Sequence, residues 1–287
     1  MTQGTAPGFD GARESLAQPT PRMPVMFIGH GSPMNVIEDT LWRRAWQALG
    51  QELLDKGLRP QLILCISAHW LTESEWALTA MPHPRTIHDF GGFPPALYAQ
   101  QYPAPGAPGA ARALAAELRS PVDGSALLLD ENWGLDHGAW CILKPMFPGA
   151  DIPVVQLSMP YPAPPALHFA LGRQLRAWRE RGVLIVGSGN VVHNLRAVRF
   201  DMAGGYDWAE RFDAQVQQRW ASGDLADLAN FLDWGPQARL AHPTHDHFLP
   251  LLYAAGAVHE GEAPRVFNEG LQYGGISMRS AVWGMPG

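Results

Sequence analysis

The chain has 287 residues, of which 46% are hydrophobic and only 17% charged, with eleven tryptophans and a net charge of −6. This composition excludes a disordered chain, and its modest acidity argues against nucleic acid, whose binders carry a basic patch or stripe. No run of about 18 apolar residues is present to span a membrane. Cys65 and Cys141 form no Cys-x-x-Cys pair and suit a reduced, cytoplasmic interior as buried small hydrophobes.

Residues 1–22 are rich in Gly, Pro, Ala and Thr and contain no apolar stretch of signal-peptide length, so they read as a flexible tail. With no linker-like composition further on, residues 23–287 are expected to form a single domain. Its first element is the buried strand Val25-Met26-Phe27-Ile28, stopped by Gly29-His30-Gly31-Ser32-Pro33. A helix is expected over 37–58, with apolar residues at Leu41, Trp42, Ala45, Trp46, Leu49, Leu53 and Leu54 and a stop at Gly57. The apolar run Leu62 to Ser67 follows and leads into Ala68-His69-Trp70. Strand, helix, strand is the βαβ unit, which places both carboxyl ends on one edge and brings His30 and His69 together.

A weak third strand is expected over 75–79. A Pro- and Gly-rich loop over 83–106, centred on Ile87-His88-Asp89-Phe90-Gly91-Gly92-Phe93-Pro94, has the length and aromatics of a binding segment. Then come a helix over 107–118, a short strand over 127–130, and Asp136-His137-Gly138 opening a helix over 139–146. Asp136 can cap that helix, while His137 sits between Trp133 and Trp140 in a setting of low polarity. A strand over 152–158 and a helix over 165–181 follow, with His168 as a packing or surface residue.

The buried strand Val183 to Ser188 precedes Gly189-Asn190-Val191-Val192-His193-Asn194, expected to open a helix, and a histidine again follows a strand end. One helix is expected over 206–234, with a core stripe of Trp208, Phe212, Val216, Trp220, Leu225 and Leu228. Beyond it lie His242, His245 and His247, then an apolar stretch over 251–257 and a closing strand over 272–280. The pattern is that of an α/β fold: a central, mostly parallel or mixed sheet flanked by helices on both faces, with its site at the carboxyl ends of the strands.

A single strand-end histidine is usually an ordinary turn residue, but three on one edge call for a metal. Imidazole suits zinc, iron, copper or nickel rather than calcium or magnesium. There is no Gly-x-Ser-x-Gly elbow, no Walker A sequence and no His-Glu-x-x-His, and the Gly-x-Gly pairs lack their third glycine. A metalloenzyme is the reading that survives.

Six segments carry a specific resemblance: Gly29-His30-Gly31-Ser32-Pro33-Met34-Asn35, Ser67-Ala68-His69-Trp70, Thr86 to Pro94, Asp136-His137-Gly138, Gly189 to Leu195, and His247-Phe248-Leu249-Pro250-Leu251-Leu252-Tyr253. Together they resemble the 4,5-DOPA extradiol dioxygenase family, within the class III extradiol ring-cleavage dioxygenases. The resemblance implies a non-haem Fe(II) enzyme that takes a small catecholic substrate and O2 and opens the ring beside its two hydroxyls, giving a muconic semialdehyde.

By that analogy His30, His69 and His247 hold the metal and His137 is the general acid/base. His193 is either a fourth ligand or a second proton carrier. Ser32, His88, Asp136 and Tyr273 are the candidate substrate-binding residues. The wider superfamily completes its ligand set with a glutamate, where this chain offers His247. An all-imidazole site favours an anionic catecholate and also makes room for zinc. Two rivals follow: a zinc-dependent hydrolase of amidase type on the same scaffold, and a metal-stabilised binding protein. The eleven tryptophans leave a homo-oligomer open.

Overall fold

The computed structural model describes Leu16 and residues 20–286. Its centre is four parallel strands that are buried along most of their length: β1 (Val25–Gly29), β2 (Leu62–Thr72), and two later strands defined below. Successive residues of β1 serve opposite faces. Val25 and Phe27 pack into one apolar cluster, and Met26 and Ile28 into the other. A parallel strand covered on both faces must be apolar throughout, which is why these runs are continuous rather than alternating.

On one face lies α1 (Leu41–Asp55), capped by Thr40 Oγ1, which accepts from the Arg43 N–H at 3.2 Å, and burying Trp46, Leu49 and Leu53. After β2 come β3 (Ala77–Thr79), a loop interrupted only by the short α2 (Pro95–Tyr98), α3 (Pro108–Glu117), β4 (Leu128–Asp130) and α4 (His137–Met146). The chain continues through β5 (Val154–Pro160), α5 (Pro165–Gln174), α6 (Arg176–Arg179) and β6 (Val183–Gly189). Next are α7 (Asp207–Ser222), α8 (Pro236–Ala241) and α9 (Leu249–Gly256). It ends in β7 (Pro264–Phe267), β8 (Leu271–Gln272), β9 (Ile276–Ser277) and β10 (Ser280–Trp283).

The sheet runs β4-β3-β5-β2-β6-β1-β10-β7. β5, β2, β6 and β1 are parallel, while β10 pairs antiparallel to β1, and β3 antiparallel to β5. α1 and α4 contribute to one apolar cluster, and α3, α5, α7 and α9 to the other. The expected α/β architecture with helices on both faces is the one observed.

Several local expectations are corrected. β1 and β2 are not neighbours, because β6 lies between them and pairs with both. The shared direction of the strands, rather than adjacency, sets their carboxyl ends on one edge. The helix expected over 206–234 stops at Ser222, where Gly223 takes a left-handed φ of 76°, and a 3-10 segment follows over Ala226–Asp233. The 165–181 helix divides at Leu175, whose N–H bonds the Gly172 carbonyl in a tighter turn. No helix opens at Gly189; only a 3-10 turn forms, over Leu195–Ala197.

The strand expected over 272–280 is broken by Tyr273 (φ 54°) and Gly274 (φ 80°) into the small β8–β9 hairpin. The strand that closes the sheet is β10, with β7 outside it.

Of the expected N-terminal tail, Leu16 is buried, with its carbonyl accepting from Arg181 Nε at 2.6 Å, and the Thr20 N–H bonds the Glu180 carbonyl at 2.8 Å. Residues 1–15 and 17–19 lie outside the described residues. Cys65 and Cys141 are free and buried. Among the described residues no helix is long and apolar enough to cross a membrane.

Candidate active site and metal centre

His30 immediately follows the end of β1. The two glycines beside it answer to the backbone rather than to openness. A Cβ on Gly29 would stand 2.7 Å from the Met278 backbone, and Gly31 has a left-handed φ of 57°. His30 itself is only 3% exposed. His69 sits inside β2 where the register against β5 shifts between Ile66 and Leu71, an irregularity of the kind that re-aims a side chain at a site. His247 lies just before α9, on a loop whose carbonyl accepts from the Asn190 N–H at 2.9 Å.

From these three places His30, His69 and His247 bring ligand atoms within 4.8 Å of one another. Each is oriented by a partner on its other nitrogen. Ser188 donates its hydroxyl proton to the Gly138 carbonyl, so its oxygen accepts from His30 Nδ1 at 3.0 Å. His247 Nδ1 bonds the Asp246 carboxylate, and His69 Nδ1 stands 3.4 Å from Asp89 Oδ2. Partners on Nδ1 leave Nε2 for an ion, the arrangement by which outer partners orient metal-bound histidines.

The Nε2 atoms of His30 and His69 face one another at 3.4 Å. That separation fits a shared ion, since nitrogens held about 2.1 Å from one come about 3–3.4 Å apart. Burial pushes the His30, His69 and His247 imidazoles well below their usual range, and the neighbouring histidines add to this. They are neutral near pH 7, the form a metal requires. The donor set fits a transition-metal ion such as iron or zinc.

His137 opens α4. Its backbone N–H donates to Asp89 Oδ1 at 2.9 Å, and its Nδ1 lies 3.0 Å from Asp89 Oδ2. Burial pushes the Asp89 carboxyl up, but its contacts with His137, and then with His69, outweigh burial and hold it down at about 2. Asp89 is thus an anion shared by two histidines. His69, Asp89 and His137 also bring ligand atoms within 4.8 Å, as do His193, Asp246 and His247.

His193 lies flat on His247, with ring centroids 3.4 Å apart and planes 7° from parallel. An imidazole lone pair lies in its ring plane, so the His193 and His247 lone pairs lie in separate, nearly parallel planes and do not converge. Burial lowers His193 to about 4.

The cavity holds about 530 Å³ and is lined by His30, His69, His137, His193 and His247 together with Ser32, Asp89, Phe90, Phe93 and Tyr273. Leu195, Val198, Phe200 and Ile276 complete its apolar side. Of the expected substrate-binding residues, Ser32 and Tyr273 reach the cavity and two do not. His88 turns away to bond the Gln100 carbonyl at 2.9 Å. Asp136 is fully buried behind His137, accepting from Ser67 Oγ at 2.6 Å, Gln156 Nε2 at 2.7 Å and the Ala139 N–H at 3.1 Å. Burial, then repulsion from Asp89, raises its carboxyl.

Sequence reasoning missed Asp89 as a site residue, and missed the Leu195–Phe200 wall. The only signal for Asp89 was an acid beside a histidine in an aromatic, glycine-rich loop.

Comparison with known proteins agrees with this geometry. The family described as the catalytic LigB subunit of aromatic ring-opening dioxygenase matches residues 24–284. The chain is 47% identical over 267 residues to an Escherichia coli (strain K12) protein named 4,5-DOPA dioxygenase extradiol, covering 92% of this chain and 95% of that one. A Beta vulgaris protein of the same name is 34% identical over 258 residues, covering 88% and 94%. The crystal structure of an uncharacterised Escherichia coli K12 protein superposes with a TM-score of 0.77 at 41% identity, covering 92% of this chain and all of that one. Matched over nearly its whole length, the chain belongs to the LigB family of aromatic ring-opening dioxygenases, and within it to the extradiol enzymes.

Proposed function

We propose that this enzyme is Fe(II)-dependent and opens the ring of a small catechol such as DOPA beside its hydroxyl pair, consuming O2 and giving a muconic semialdehyde. The observation that carries the proposal is the convergence of His30, His69 and His247 ligand nitrogens at the floor of an apolar cavity. Those three residues would hold the iron, which when bound would give catecholate and O2 one meeting point and relay electrons between them.

The protein's own groups do the rest. With its Nδ1 turned to the Asp89 carboxylate, His137 keeps Nε2 for the proton of the second phenol and can return it as the ring opens. Asp89 stays ionised and holds that tautomer, as does the acid behind the histidine in other acid–base pairs. His193, whose ring is parallel to His247 rather than aimed at the shared point, is assigned as a second proton carrier and not a ligand. Phe90 and Phe93 cover the cavity and keep water from the reacting ring.

The test is O2 uptake and a yellow ring-cleavage chromophore after anaerobic loading with Fe(II), across a panel of catechols. Turnover with iron and none with zinc is expected. Amide hydrolysis with zinc and no O2 uptake with any catechol would overturn the assignment in favour of the zinc hydrolase.

A further inference from the structure

The turn Asp136-His137-Gly138 meets three strands of the sheet behind the cavity, through the fully buried Ser67 on β2, Gln156 on β5 and Ser188 on β6. Asp136 Oδ1 accepts from Ser67 Oγ at 2.6 Å and from the Ala139 N–H at 3.1 Å. Its Oδ2 accepts from Gln156 Nε2 at 2.7 Å and from Trp133 Nε1 at 3.3 Å. Gln156 Oε1 also accepts from the Asp136 N–H at 3.1 Å, so one amide clasps both the backbone and the carboxylate.

Each of these contacts leads on to a site residue. Ser67 Oγ, besides donating to Asp136, accepts from the His69 N–H at 3.3 Å, where β2 shifts register against β5. The Gly138 carbonyl accepts from Ser188 Oγ at 2.5 Å, and that oxygen lies 3.0 Å from His30 Nδ1. Gly138 leaves no slack in this packing, since a Cβ there would stand 2.4 Å from Ser67 Oγ and 2.8 Å from His69 Cδ2. His137 lies between these anchors, its ring centroid 3.8 Å from that of His69.

A cap bond to the Ala139 N–H settles only the first turn of α4. The Ser67 and Gln156 bonds do more, because they fix that turn against β2 and β5. The placement matters, as an imidazole that moves a proton must stay within hydrogen-bond reach and a shift of about 1 Å costs about 100-fold in rate. We propose that Asp136 is a positioning residue: through Ser67 and Gln156 it sets the place of the His137 imidazole relative to His69, without itself reaching the substrate. Its consequence for turnover rests on the ring-opening reading above.

Asparagine caps a helix about as well as aspartate, so Asp136→Asn keeps the cap while turning the acceptor that faces Gln156 Nε2 into a donor. With activity expressed per bound iron, kcat should fall about 10- to 100-fold and KM for catechol should change less than about threefold. The double variant Asp136→Asn/Gln156→Glu exchanges acid and amide across the same contact and still offers the backbone N–H an acceptor. It should recover kcat about fivefold or more over the single variant. Crystal structures of the same proteins read the position without turnover. The His137 ring should move by about 0.5 Å or more relative to His69 in Asp136→Asn and return in the double variant.

Displacement of His137 in a protein that opens no catechol ring would keep the positioning role and sink the ring-opening reading. A wild-type kcat per bound iron in Asp136→Asn, as a helix cap alone requires, overturns the proposal, and so does a His137 ring that stays in place there. Should Asp136→Asn not fold, Ser67→Ala leaves the cap and the Gln156 clasp intact and carries the same two readings. It should lower kcat about 3- to 10-fold with a displaced His137 ring, and wild-type values would overturn the proposal.

Discussion

The Asp89 carboxylate stands between two imidazoles to which the proposed function gives different duties, one toward the metal and one toward the substrate. It lies 3.4 Å from His69 Nδ1 and 3.0 Å from His137 Nδ1. Asp89→Asn keeps the shape but removes the anion that both Nδ1 atoms face. Loss of such an outer partner costs about 10- to 100-fold in metal affinity or activity. The expected outcome is a fall in kcat of that size with a much smaller change in KM, read alongside bound metal by elemental analysis.

His137→Ala separates the roles further. The three-histidine site is left whole, so bound iron and catechol affinity should persist while ring opening falls by at least about 100-fold. Equal activity in wild type and variant would remove His137 from the mechanism. Both histidines were legible in the sequence, because an apolar run ending in Gly-His or Ser-Ala-His, or an Asp-His-Gly helix start, is a local signal. Asp89 was not, since its importance comes from the approach of three segments distant in the chain.

Elements of this fold are set where apolar periodicity meets a stop, and the stops were the harder part to read. Gly223 ends α7 by taking a left-handed φ of 76°, yet a glycine inside a continuing apolar stripe gives no sign of which conformation it will adopt. Tyr273 at φ 54° breaks what alternation alone makes a single strand. The starts of β1, β2 and β6 were read closely, because continuous apolar runs mark them, whereas β2 runs on to Thr72, past the expected Ser67.

Inside α9 a hydroxyl ties three elements together. Trp76 Nε1 donates to Tyr253 Oη at 2.6 Å, and Tyr253 Oη donates to His168 Nδ1 at 2.7 Å. His168 Nε2 in turn donates to the Ala163 carbonyl at 3.2 Å. This chain fixes the His168 tautomer and explains a histidine that the sequence left as a packing or surface residue. Tyr253→Phe keeps the ring and strands the buried Trp76 donor and His168 acceptor. Each stranded group costs about 1–3 kcal/mol, so a loss of about 2–4 kcal/mol is expected in urea unfolding, with kcat changed far less than in His137→Ala.

Across the whole molecule, one arrangement makes the site: the four parallel strands all point their carboxyl ends to the same edge, with β6 between β1 and β2. The direction of the strands was inferable from strand–helix–strand order; the interposed strand was not, because order along the chain does not record which later strand enters between two earlier ones.

The same dense packing sets the molecule's response to acid. Burial lowers His168 to about 4 and His242 to about 3, with the neighbouring histidines adding to the effect and carbonyl partners opposing it. An unfolded chain protonates these imidazoles near pH 6.5, while the folded one holds them neutral until far lower pH. The unfolded state therefore binds more protons between about pH 6.5 and 4, and stability is present above pH 6.5 and lost as pH falls through that window.

Between pH 7.5 and 5.5 each such histidine should cost about 1.4 kcal/mol, or nearly 3 kcal/mol for the pair. His168→Gln removes one titrating group, so the drop in urea-unfolding free energy across this interval should shrink by about 1.4 kcal/mol relative to wild type, whatever the variant's stability at pH 7.5. An unchanged drop would mean that His168 takes up its proton in the folded state, and that the Tyr253 hydroxyl does not hold it neutral.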